Sequence, residues 1–304
     1  MSYRFAVITD RGIAIRTALT DADLEAWNDV RRIVMPNESV PTIEVLRAEA
    51  GPDNLMLLAE SGDHLIGSGV ANRSQVEGGF VAARVVPEQR RRGVGSALLR
   101  VLLDHLVDRG FGSVRAHVES DGAHAFAVRH GFQEVDRQVE QVRALSPDEP
   151  AAPPFEGVEF WTVAQRPELL QRSFALAQQG YADMVLKTGP AVVPIDEWLR
   201  EEATLPAGTF VALEHGIIVG YAGLNAWTDD ASRAENGLTV VDRRWRGRGL
   251  ATALKRRQLA WAAGHGIQEI VTWTQEGNEA MQRVNLRLGY VPRAVSRTMR
   301  RDLP

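Results

Sequence analysis

The alternation of apolar and polar positions predicts the same order of elements twice along the chain. Each half opens with a short strand and an amphipathic helix, continues with a hairpin whose apolar arms flank a polar turn, and then has another strand. The predicted strands and hairpins correspond in pairs: residues 13–18 with 158–163, 55–71 with 209–227, and 80–86 with 237–241. Thr20 and Asp23 have the spacing of a capping box at the start of the first helix.

The rest of each half is predicted as a glycine-rich loop followed by a helix, a strand, a helix and a last strand. Apolar residues recur on one face of the helix after each loop: Val94, Leu98, Val101 and Leu102 in one half, Leu250, Ala253, Leu254 and Trp261 in the other. We expect Gly110 and Gly264 to end these helices. The order mixes antiparallel hairpins with one parallel pair of strands, and therefore predicts a mixed α/β (α+β) fold.

The loops of the two halves share the pattern R-x-x-G-x-G. Aligning the first glycine of each loop shifts the numbering by 154 residues, from 93 to 247. This shift pairs four landmarks: Arg90 with Arg244, Gly93 with Gly247, Gly95 with Gly249, and Gly110 with Gly264. A later pair, Gly131 and Gly289, lies 158 residues apart, which a loop insertion explains. The same landmarks in the same order predict a tandem duplication.

A proline-rich stretch at residues 144–157 separates the two repeats. Because proline lacks an N–H donor and resists helix formation, we expect this stretch to be an extended, solvated linker. The predicted domains are residues 1–143 and 158–304, joined by the linker 144–157. A length of 304 residues also favours two domains.

Composition narrows the classes of function. The formal net charge of −4 argues against a nucleic-acid-binding or membrane-binding protein. Since the chain has no cysteine, disulfides, cysteine-ligated metals and a thioester on the protein are excluded. The 7 histidines lack the H-E-x-x-H spacing, so no metal site is expected. With no signal-like start and no apolar run of about 18 residues, we expect a cytoplasmic protein.

The loop between strand and helix is the strongest indication of chemistry. A helix N-terminus offers unpaired N–H groups and a positive dipole end, and glycines let the backbone approach an anion such as phosphate. The expected donors are the amides at 91–96 and 245–250. Neither loop fits the Rossmann fingerprint or the G-K-[ST] ending of a Walker loop. A basic turn without a ligand is the alternative for one copy, and the presence of two copies favours the ligand.

Each half also closes with a glycine and an aromatic residue before its last strand, Gly131-Phe132 and Gly289-Tyr290. Together these motifs resemble the GNAT superfamily of N-acetyltransferases, in the tandem arrangement of mycothiol synthases. The resemblance covers nearly the whole chain. It implies two GNAT domains, each a mostly antiparallel sheet splayed between its fourth and fifth strands and flanked by helices. It also implies acetyl-CoA as cofactor, with the pyrophosphate on the loop and the pantetheine arm along the splayed strand.

The resemblance implies cofactor-binding residues in both halves. In the second half they are Thr239, Val240, Val241, Arg246, Gly247, Arg248, Gly249, Leu250, Ala251, Thr274 and Asn278. In the first half they are Val85, Val86, Arg91, Arg92, Gly93, Gly95 and Ser96. Asn278 is expected to face the pantetheine arm, and Ser120 stands at its position in the first half.

The implied catalytic residues, Glu235 and Asn285, lie in the second half. Glu235, at the start of the splayed strand, is expected to take the amine proton or to contact the acceptor, unless it is a solvated edge charge. The shift of 154 aligns it with Val81. Many members have a general-acid tyrosine four residues before the late glycine, whereas this chain has Ala127 and Asn285. An amide is no acid at neutral pH, so Asn285 is expected only to donate a hydrogen bond to the CoA sulfur, unless it satisfies a nearby carbonyl.

We therefore expect acetyl transfer from acetyl-CoA to a primary amine of a small molecule. Without cysteine, the amine attacks directly in a ternary complex, and a backbone N–H near Val240 polarises the thioester. The second domain is expected to be catalytic and the first degenerate, with the acceptor contacting residues 181–198. A non-catalytic acyl-CoA-binding or regulatory protein and a protein-modifying acetyltransferase stay open as alternatives. The oligomeric state is left open.

Overall fold

The computed structural model describes residues 6–8, 12–74, 77–184 and 193–304. Contacts divide the chain into two compact units. Unit 1 comprises Met1–Glu134 with Thr298–Pro304, and unit 2 comprises Val135–Arg297. Most of the last strand of the first repeat therefore belongs to unit 2, and the end of the chain belongs to unit 1. The domain boundaries expected at residues 144 and 158 divide the chain by sequence repeat rather than by contacts, and they stay a prediction.

Unit 1 is a sheet with helices on both faces. Its elements in chain order are β1 (Ala6–Ile8), β2 (Ala14–Thr17), α1 (Asp21–Val34), α2 (Ile43–Ala48), β3 (Leu55–Ser61), β4 (His64–Arg73), β5 (Gly79–Val85), α3 (Val94–Asp108), β6 (Ser113–Val118) and α4 (Asp121–Arg129). The strands lie in numerical order; β5 and β6 are parallel, and the neighbouring strands from β1 to β5 are antiparallel. On β3, Leu57 packs with the α3 side chains and Leu58 with those of α1, because successive strand residues face opposite sides.

Unit 2 repeats this plan. Its elements are β7 (Gln133–Ala144), β8 (Glu159–Thr162), α5 (Glu168–Ala182), α6 (Ile195–Glu201), β9 (Phe210–Glu214), β10 (Ile217–Ala226), β11 (Arg233–Val241), α7 (Leu250–Gly264), β12 (Glu269–Gln275), α8 (Glu279–Arg287) and β13 (Val291–Asp302). The strand order is β13-β7-β12-β11-β10-β9-β8. Val211 and Leu213 of β9 pack with α5 and α6, while Ala212 packs with α7 on the other face. The predicted mixed α/β fold is confirmed.

The predicted helix ends agree with the structure, and one of them differs in detail. Thr20 caps α1: its hydroxyl accepts the N–H of Asp23, whose carboxylate accepts the N–H of Thr20, so the predicted capping box is confirmed. Gly110 follows α3 in the left-handed region, with φ of 79°. α7 ends at Gly264, as predicted, but the left-handed residue that follows this helix is Gly266, with φ of 82°.

The two repeats align with a shift of 156 residues across the glycine-rich loop, not 154. Gly93 precedes α3 and Gly249 precedes α7, both in the left-handed conformation, with φ of 92° and 87°. The Nε of Arg90 donates to the carbonyl of Val85, and Arg246 makes the same 3.1 Å hydrogen bond to the carbonyl of Val241. The alignment from the sequence was wrong by two residues. A shift of 154 and a shift of 156 both align arginine with arginine and glycine with glycine, so the sequence did not distinguish them. The motif of the second half is therefore R-x-x-G-x-A, ending at Ala251.

The proline-rich segment has neither helix nor strand over residues 151–155, and most of its residues are exposed. It is nevertheless attached to unit 2 at two points. Phe155 packs against Phe160 and Trp245, with ring centroids 6.4 and 6.5 Å apart. The carboxylate of Glu149 accepts two 3.0 Å hydrogen bonds from Arg143. No helix in the described part of the chain is long and apolar enough to cross a membrane.

Candidate active site

The two middle strands of each sheet pair over a short stretch and then separate. In unit 2, β11 pairs with β12 at Arg233, Ala234 and Glu235. In unit 1, β5 pairs with β6 at Gly79 and Phe80. Among the described residues, no later position of β11 or β5 pairs on that side. Each sheet is therefore splayed, as the resemblance to the family implies, and one edge of each middle strand is open.

Glu235 is the last paired residue of β11, and Phe80 is the last paired residue of β5. The register with the neighbouring strand agrees, because Glu235 lies opposite Asn225 and Phe80 opposite Asn72. The counterpart of Glu235 is therefore Phe80, not Val81 as the shift of 154 indicated. The first repeat still has no acid at this position.

The open edge of β11 presents the backbone of alternate residues. The N–H of Asp242 donates to the carbonyl of Val219 on β10 at 2.9 Å, so alternation turns the N–H of Val240 to the same side. The N–H groups of Thr239 and Val241 then face the open edge. The N–H of Val240 itself therefore does not face the open edge, and the role expected for a backbone N–H near Val240 stays a prediction for Thr239 or Val241.

The glycine-rich loop leads from β11 to the N-terminus of α7. Gly249 is exposed, and a Cβ built on it has no heavy atom within 4 Å among the described residues. Gly247 is also exposed and left-handed, with φ of 74°. Leu250 is buried, so only its backbone is available to a ligand. This arrangement leaves the first N–H groups of α7 accessible to an anion.

Arginine side chains surround this loop. Asp183, at the end of α5, accepts a 2.5 Å hydrogen bond from Arg246 and forms an ion pair with Arg243. These two arginines lower the pKa of Asp183 to about 2. Arg248 stacks over Trp245, with its guanidinium 4.9 Å from the ring centroid. The loop therefore combines fixed positive charge with a helix N-terminus.

In the described part of unit 2, two buried oxygens near the open edge have no hydrogen-bond partner: Oγ1 of Thr239 and Oδ1 of Asn285. Buried polar atoms normally have partners. The open strand edge, the accessible helix N-terminus and the orphaned Thr239 hydroxyl together fit an elongated ligand with amide groups and a phosphate end. Acetyl-CoA has both.

Thr274 and Asn285 form a buried cluster with Gln141 of β7. The amide of Asn285, which is 0% exposed, donates to Gln141 at 2.9 Å and to the hydroxyl of Thr274 at 3.2 Å. Thr274 donates to the same Gln141 oxygen at 3.2 Å. Asn278 caps α8 by accepting the N–H of Met281. The cluster places Asn285 beside the fifth strand, but its side chain is enclosed by protein, and its role toward the sulfur stays a prediction.

The first repeat has corresponding residues without the same chemistry. Ser120 caps α4 as Asn278 caps α8, and Ala127 stands where Asn285 lies. Val85 is on the open edge of β5, whereas the N–H of Val86 donates to the carbonyl of Ile66 on β4. The remaining predicted cofactor residues of this half lie in the loop or the first turn of α3: Arg91, Arg92, Gly93, Gly95 and Ser96.

The loop of the first repeat opens onto a cavity of about 690 Å³ in unit 1. Gly93, Ser96, Arg100, His130 and Arg301 are among the residues that line it. The hydroxyl of Ser96 lies 3.1 Å from Nε2 of His130. The first repeat therefore keeps space and positive charge beside its loop. A Cβ placed on Gly95 would make an ordinary van der Waals contact with the ring of Phe126, 3.4 Å away. An alanine therefore fits at this position, as in the second repeat.

Sequence reasoning missed Glu202, the residue that follows α6. Its carboxylate accepts a 3.1 Å hydrogen bond from the hydroxyl of the buried Tyr221 and another from the N–H of Leu238. Burial, opposed by these two hydrogen bonds and assisted by the charge of Glu235, raises the pKa of Glu202 to about 7. Nothing in the local sequence distinguishes Glu202 from the neighbouring acids of α6. The only available signal is a pair of glycines, Gly223 and Gly237, in two strands.

The same face of unit 1 carries a buried cation instead. Arg84 of β5 is 6% exposed and lies 4.8 Å over the ring of Trp27. Its Nη1 has no partner among the described residues, and burial and Arg31 lower its pKa to about 9. With the shift of 156, the counterpart of Arg84 is Val240. The two units therefore differ in charge on the face covered by the first two helices of each repeat.

Among the described residues, no group of three or more histidine, aspartate or glutamate side chains is arranged to bind a metal ion. The segment expected to contact the acceptor is only partly described. Tyr181 and Trp198 pack edge to face, with centroids 6.3 Å apart, and Trp198 lies 5.2 Å from Tyr221. Residues 185–192, which include Lys187, lie outside the described residues.

Comparison with known proteins agrees with this geometry. A sequence model of the acetyltransferase (GNAT) family matches residues 15–132 and 176–290. A mycothiol acetyltransferase of Thermobispora bispora is 29% identical over 284 residues, which cover 90% of each chain. A GCN5-related N-acetyltransferase structure from Sphaerobacter thermophilus superposes with a TM-score of 0.77 and 21% identity, over 97% of both chains. A tandem GNAT protein of the clavulanic acid biosynthesis pathway gives 0.74 and 20%, over 95% of this chain and 98% of that one.

Proposed function

The chain belongs to the acetyltransferase (GNAT) family, and on that basis we propose that unit 2 transfers an acetyl group from acetyl-CoA to an amine of a small molecule. The observation that carries the proposal is the open edge of β11, which runs from Glu235 to a glycine-rich loop at a helix N-terminus. This single strand connects a carboxylate with an anion site. A thioester donor with a distant phosphate end needs such a connection.

The residues of unit 2 would hold acetyl-CoA at two places. The N–H groups at the start of α7, with Arg246 and Arg248, fit the pyrophosphate, and the open edge at Thr239 and Val241 fits the amides of the pantetheine arm. When bound, acetyl-CoA supplies an acetyl group activated as a thioester. An N–H of Thr239 or Val241 would polarise the carbonyl oxygen of a thioester bound along this edge.

Glu235 is proposed to act on the acceptor. An ammonium group must lose a proton before its nitrogen attacks a carbonyl, so a carboxylate at the point of separation both attracts the cation and takes its proton. The neutral nitrogen then forms the new C–N bond, and the C–S bond of the thioester breaks. The nitrogen loses a second proton as the amide forms, and a proton is taken up by the CoA thiolate that leaves. Neither repeat supplies a tyrosine for that last proton, since Ala127 and Asn285 stand at the position.

The acceptor is proposed to be a small molecule because the curated relative is a mycothiol acetyltransferase. It would enter over α5 and α6, where the aromatic side chains of Tyr181 and Trp198 lie beside the carboxylate of Glu202. The first repeat is proposed to be degenerate. It has Phe80 in place of Glu235, and Arg84 on the face where an amine would enter.

The proposal is tested by turnover of acetyl-CoA with a panel of amines, peptides and the acceptor of the mycothiol acetyltransferases. Because the chain contains no cysteine, a thiol reagent detects released CoA without background from the protein. Mass spectrometry of the product identifies the acetylated nitrogen. We expect amine-dependent release of CoA. Binding of acetyl-CoA without release would instead support an acyl-CoA-binding protein, and acetylation confined to polypeptides would support a protein-modifying enzyme.

A further inference from the structure

Glu202 lies directly on the backbone of the two central strands of unit 2. A Cβ placed on Gly223 of β10 or on Gly237 of β11 would overlap Oε1 of Glu202. Only glycine at both positions leaves room for the carboxylate. The two glycines and Glu202 therefore form one packed arrangement, although α6 and the two strands are separated in sequence.

The carboxylate occupies a β-bulge. The register of β10 and β11 shifts between Ala222, which lies opposite Thr239, and Leu224, which lies opposite Asn236. One extra residue of β11 is thereby accommodated, which frees backbone groups from the ladder. On one face Glu202 accepts the freed N–H of Leu238.

On the other face of the sheet, Gln258 of α7 satisfies the carbonyls that the bulge frees. Its amide donates 2.9 Å hydrogen bonds to the carbonyls of Ala222 and Gly223. Side chains from both layers of helices therefore complete the hydrogen bonds of the bulge. The pairing of β4 with β5 in unit 1 runs from Gly67–Val85 to Arg73–Gly79 without such a shift.

The chain after α6 is held in an unfavourable conformation to deliver Glu202. Ala203 is buried and has φ of 62°, which costs an L-residue about 1 kcal/mol. The next residue is fixed to β10, because the N–H of Thr204 donates to Asn225 at 3.1 Å and its hydroxyl accepts the N–H of Ala226 at 2.8 Å. In unit 1 the residue that ends α2, Glu49, is exposed. Ala50 of unit 1, which corresponds to Ala203, is not left-handed, so the strain at this position is confined to the second repeat and points to a role in its chemistry.

Glu202 and Glu235 face the same side of the sheet. Asn236 hydrogen-bonds to Gln258 and Lys255 of α7, so alternation turns Glu235 toward α5 and α6. Among the described residues, Tyr221 of β10 hydrogen-bonds to Glu202, and the charge of Glu202 acts on Tyr181 of α5, as does that of Glu197 of α6. Both tyrosines have raised pKa values and are neutral at physiological pH. Within the described ranges, none of the groups that shift the pKa of Glu202 is a cation.

We infer that Glu202 is a positioning residue for the acetyl transfer proposed above, on which this inference rests: it fixes the bulge of β11, and its negative charge strengthens Glu235 as the proton acceptor. Like charges at short distance increase the proton affinity of both groups. The charge of Glu235 contributes to the raised pKa of Glu202. Ionisation of Glu202, near pH 7, makes Glu235 the stronger base.

The test is the pH dependence of kcat/KM for the amine in Glu202→Gln. Glutamine keeps the size and an oxygen that accepts the hydrogen bonds of Tyr221 and Leu238, but it removes the charge. We expect the wild-type rate to rise through an inflection near pH 7, and the inflection of the variant to lie lower by about one pH unit or more. Glu201→Gln, which neutralises the adjacent exposed acid paired with Arg200, is the matched control and should keep the wild-type profile.

Two results would overturn the inference. If Glu202→Gln has the wild-type profile, the charge of Glu202 does not act on Glu235. If the folded variant loses all turnover at every pH, Glu202 is itself the proton acceptor. Should Glu202→Gln fail to fold, Tyr221→Phe replaces it. Loss of the hydroxyl donor raises the pKa of Glu202, so the wild-type inflection should move to higher pH, and an unchanged inflection would reject the proposal.

A titration without turnover separates this inference from the proposed function. In protein labelled with ¹³C at glutamate carboxyls, the signal missing in Glu202→Gln identifies Glu202. We expect it to titrate near pH 7 in the wild type and lower in Glu235→Gln. If no amine is acetylated but this coupling is present, the proposed function fails while the carboxyl pair stands. If turnover is found and the Glu202 signal does not respond to Glu235→Gln, the inference fails alone.

Discussion

The amine of Lys255, which is 1% exposed, donates a 2.9 Å hydrogen bond to Oδ1 of Asn236. Asn236 also accepts the hydroxyl of Tyr290 and donates to Gln258 at 3.1 Å. This polar cluster lies between α7 and the strand that carries Glu235. Burial lowers the pKa of Lys255 from 10.5 to about 7.

The lowered pKa of Lys255 predicts that Lys255→Met stabilises the protein at neutral pH. Between about pH 7 and 10.5 the unfolded chain holds a proton that the folded chain has lost, so wild-type stability rises with pH in this window. Methionine has no proton to lose. We expect its free energy of unfolding to exceed that of the wild type by roughly 1–3 kcal/mol at pH 7 and the difference to shrink toward pH 10.5. Urea denaturation across this range measures it, and a variant less stable than the wild type at pH 7 would contradict the prediction.

Gly249→Glu is expected to weaken greatly the binding of acetyl-CoA to unit 2 while the protein stays folded. The new carboxylate would lie at the N-terminus of α7 and repel a pyrophosphate, and φ of 87° adds about 1 kcal/mol of strain. Gly266→Glu is a matched control, since Gly266 is also left-handed with open space around it but follows the far end of α7. Titration calorimetry measures the affinity of both variants for acetyl-CoA. Equal affinity in the two variants would exclude the loop from the site.

The order of helices and strands along the chain and the glycine-rich loops could be predicted because they depend on local patterns of apolar residues and glycines, whereas the splay came only from the resemblance to the family. The register of the repeats could not be predicted, since glycines at 247 and 249 offer two alignments and only the cap of α7 distinguishes them. Glu202 could not be predicted from the sequence for another reason. Its role depends on a bulge between β10 and β11 and on the fold of a separate helix, and neither leaves a periodic signal in the sequence.

Glu235→Gln is expected to lower kcat for the amine by about 10²–10³-fold, since a positioned base contributes on this scale. The loss should be largest at low pH, where more of the amine is protonated. Affinity for acetyl-CoA should not change, because the loop and the open edge stay intact. Glu276→Gln, on an exposed acid of unit 2, is the control. A fully active Glu235→Gln would show that this carboxylate neither binds the amine nor takes its proton.

The asymmetry of the repeats is tested by Gly93→Glu, which corresponds to Gly249→Glu in the corrected register. We expect turnover to stay within about twofold of the wild type, and stability to fall by about 1 kcal/mol because of the left-handed backbone. Steady-state kinetics and thermal denaturation are the measurements. Loss of turnover in a folded Gly93→Glu protein that still binds acetyl-CoA in unit 2 would mean that the first repeat carries the reaction.

Arg84→Met is expected to stabilise unit 1 by about 1–2 kcal/mol, since a buried guanidinium with an unpartnered Nη1 among the described residues pays for desolvation without a full set of hydrogen bonds. Methionine keeps the contact with the ring of Trp27. Arg32→Met, at an exposed arginine of α1, should change stability by less than about 0.5 kcal/mol. Urea denaturation measures both, and a destabilised Arg84→Met would show that the charge is satisfied.

The end of the chain has a consequence for how such a protein can evolve. Met299 and Leu303 pack in the core of unit 1, and the N–H of Leu303 donates to Gly112 at 2.9 Å. In unit 2, β7 of the first repeat pairs with β12 from Ala144–Glu269 to Gln138–Gln275. A gene shortened to either repeat would encode a domain without its closing strand. If the first repeat is inactive, as proposed above, it would still be retained, since deleting it would remove a strand from the fold of the second.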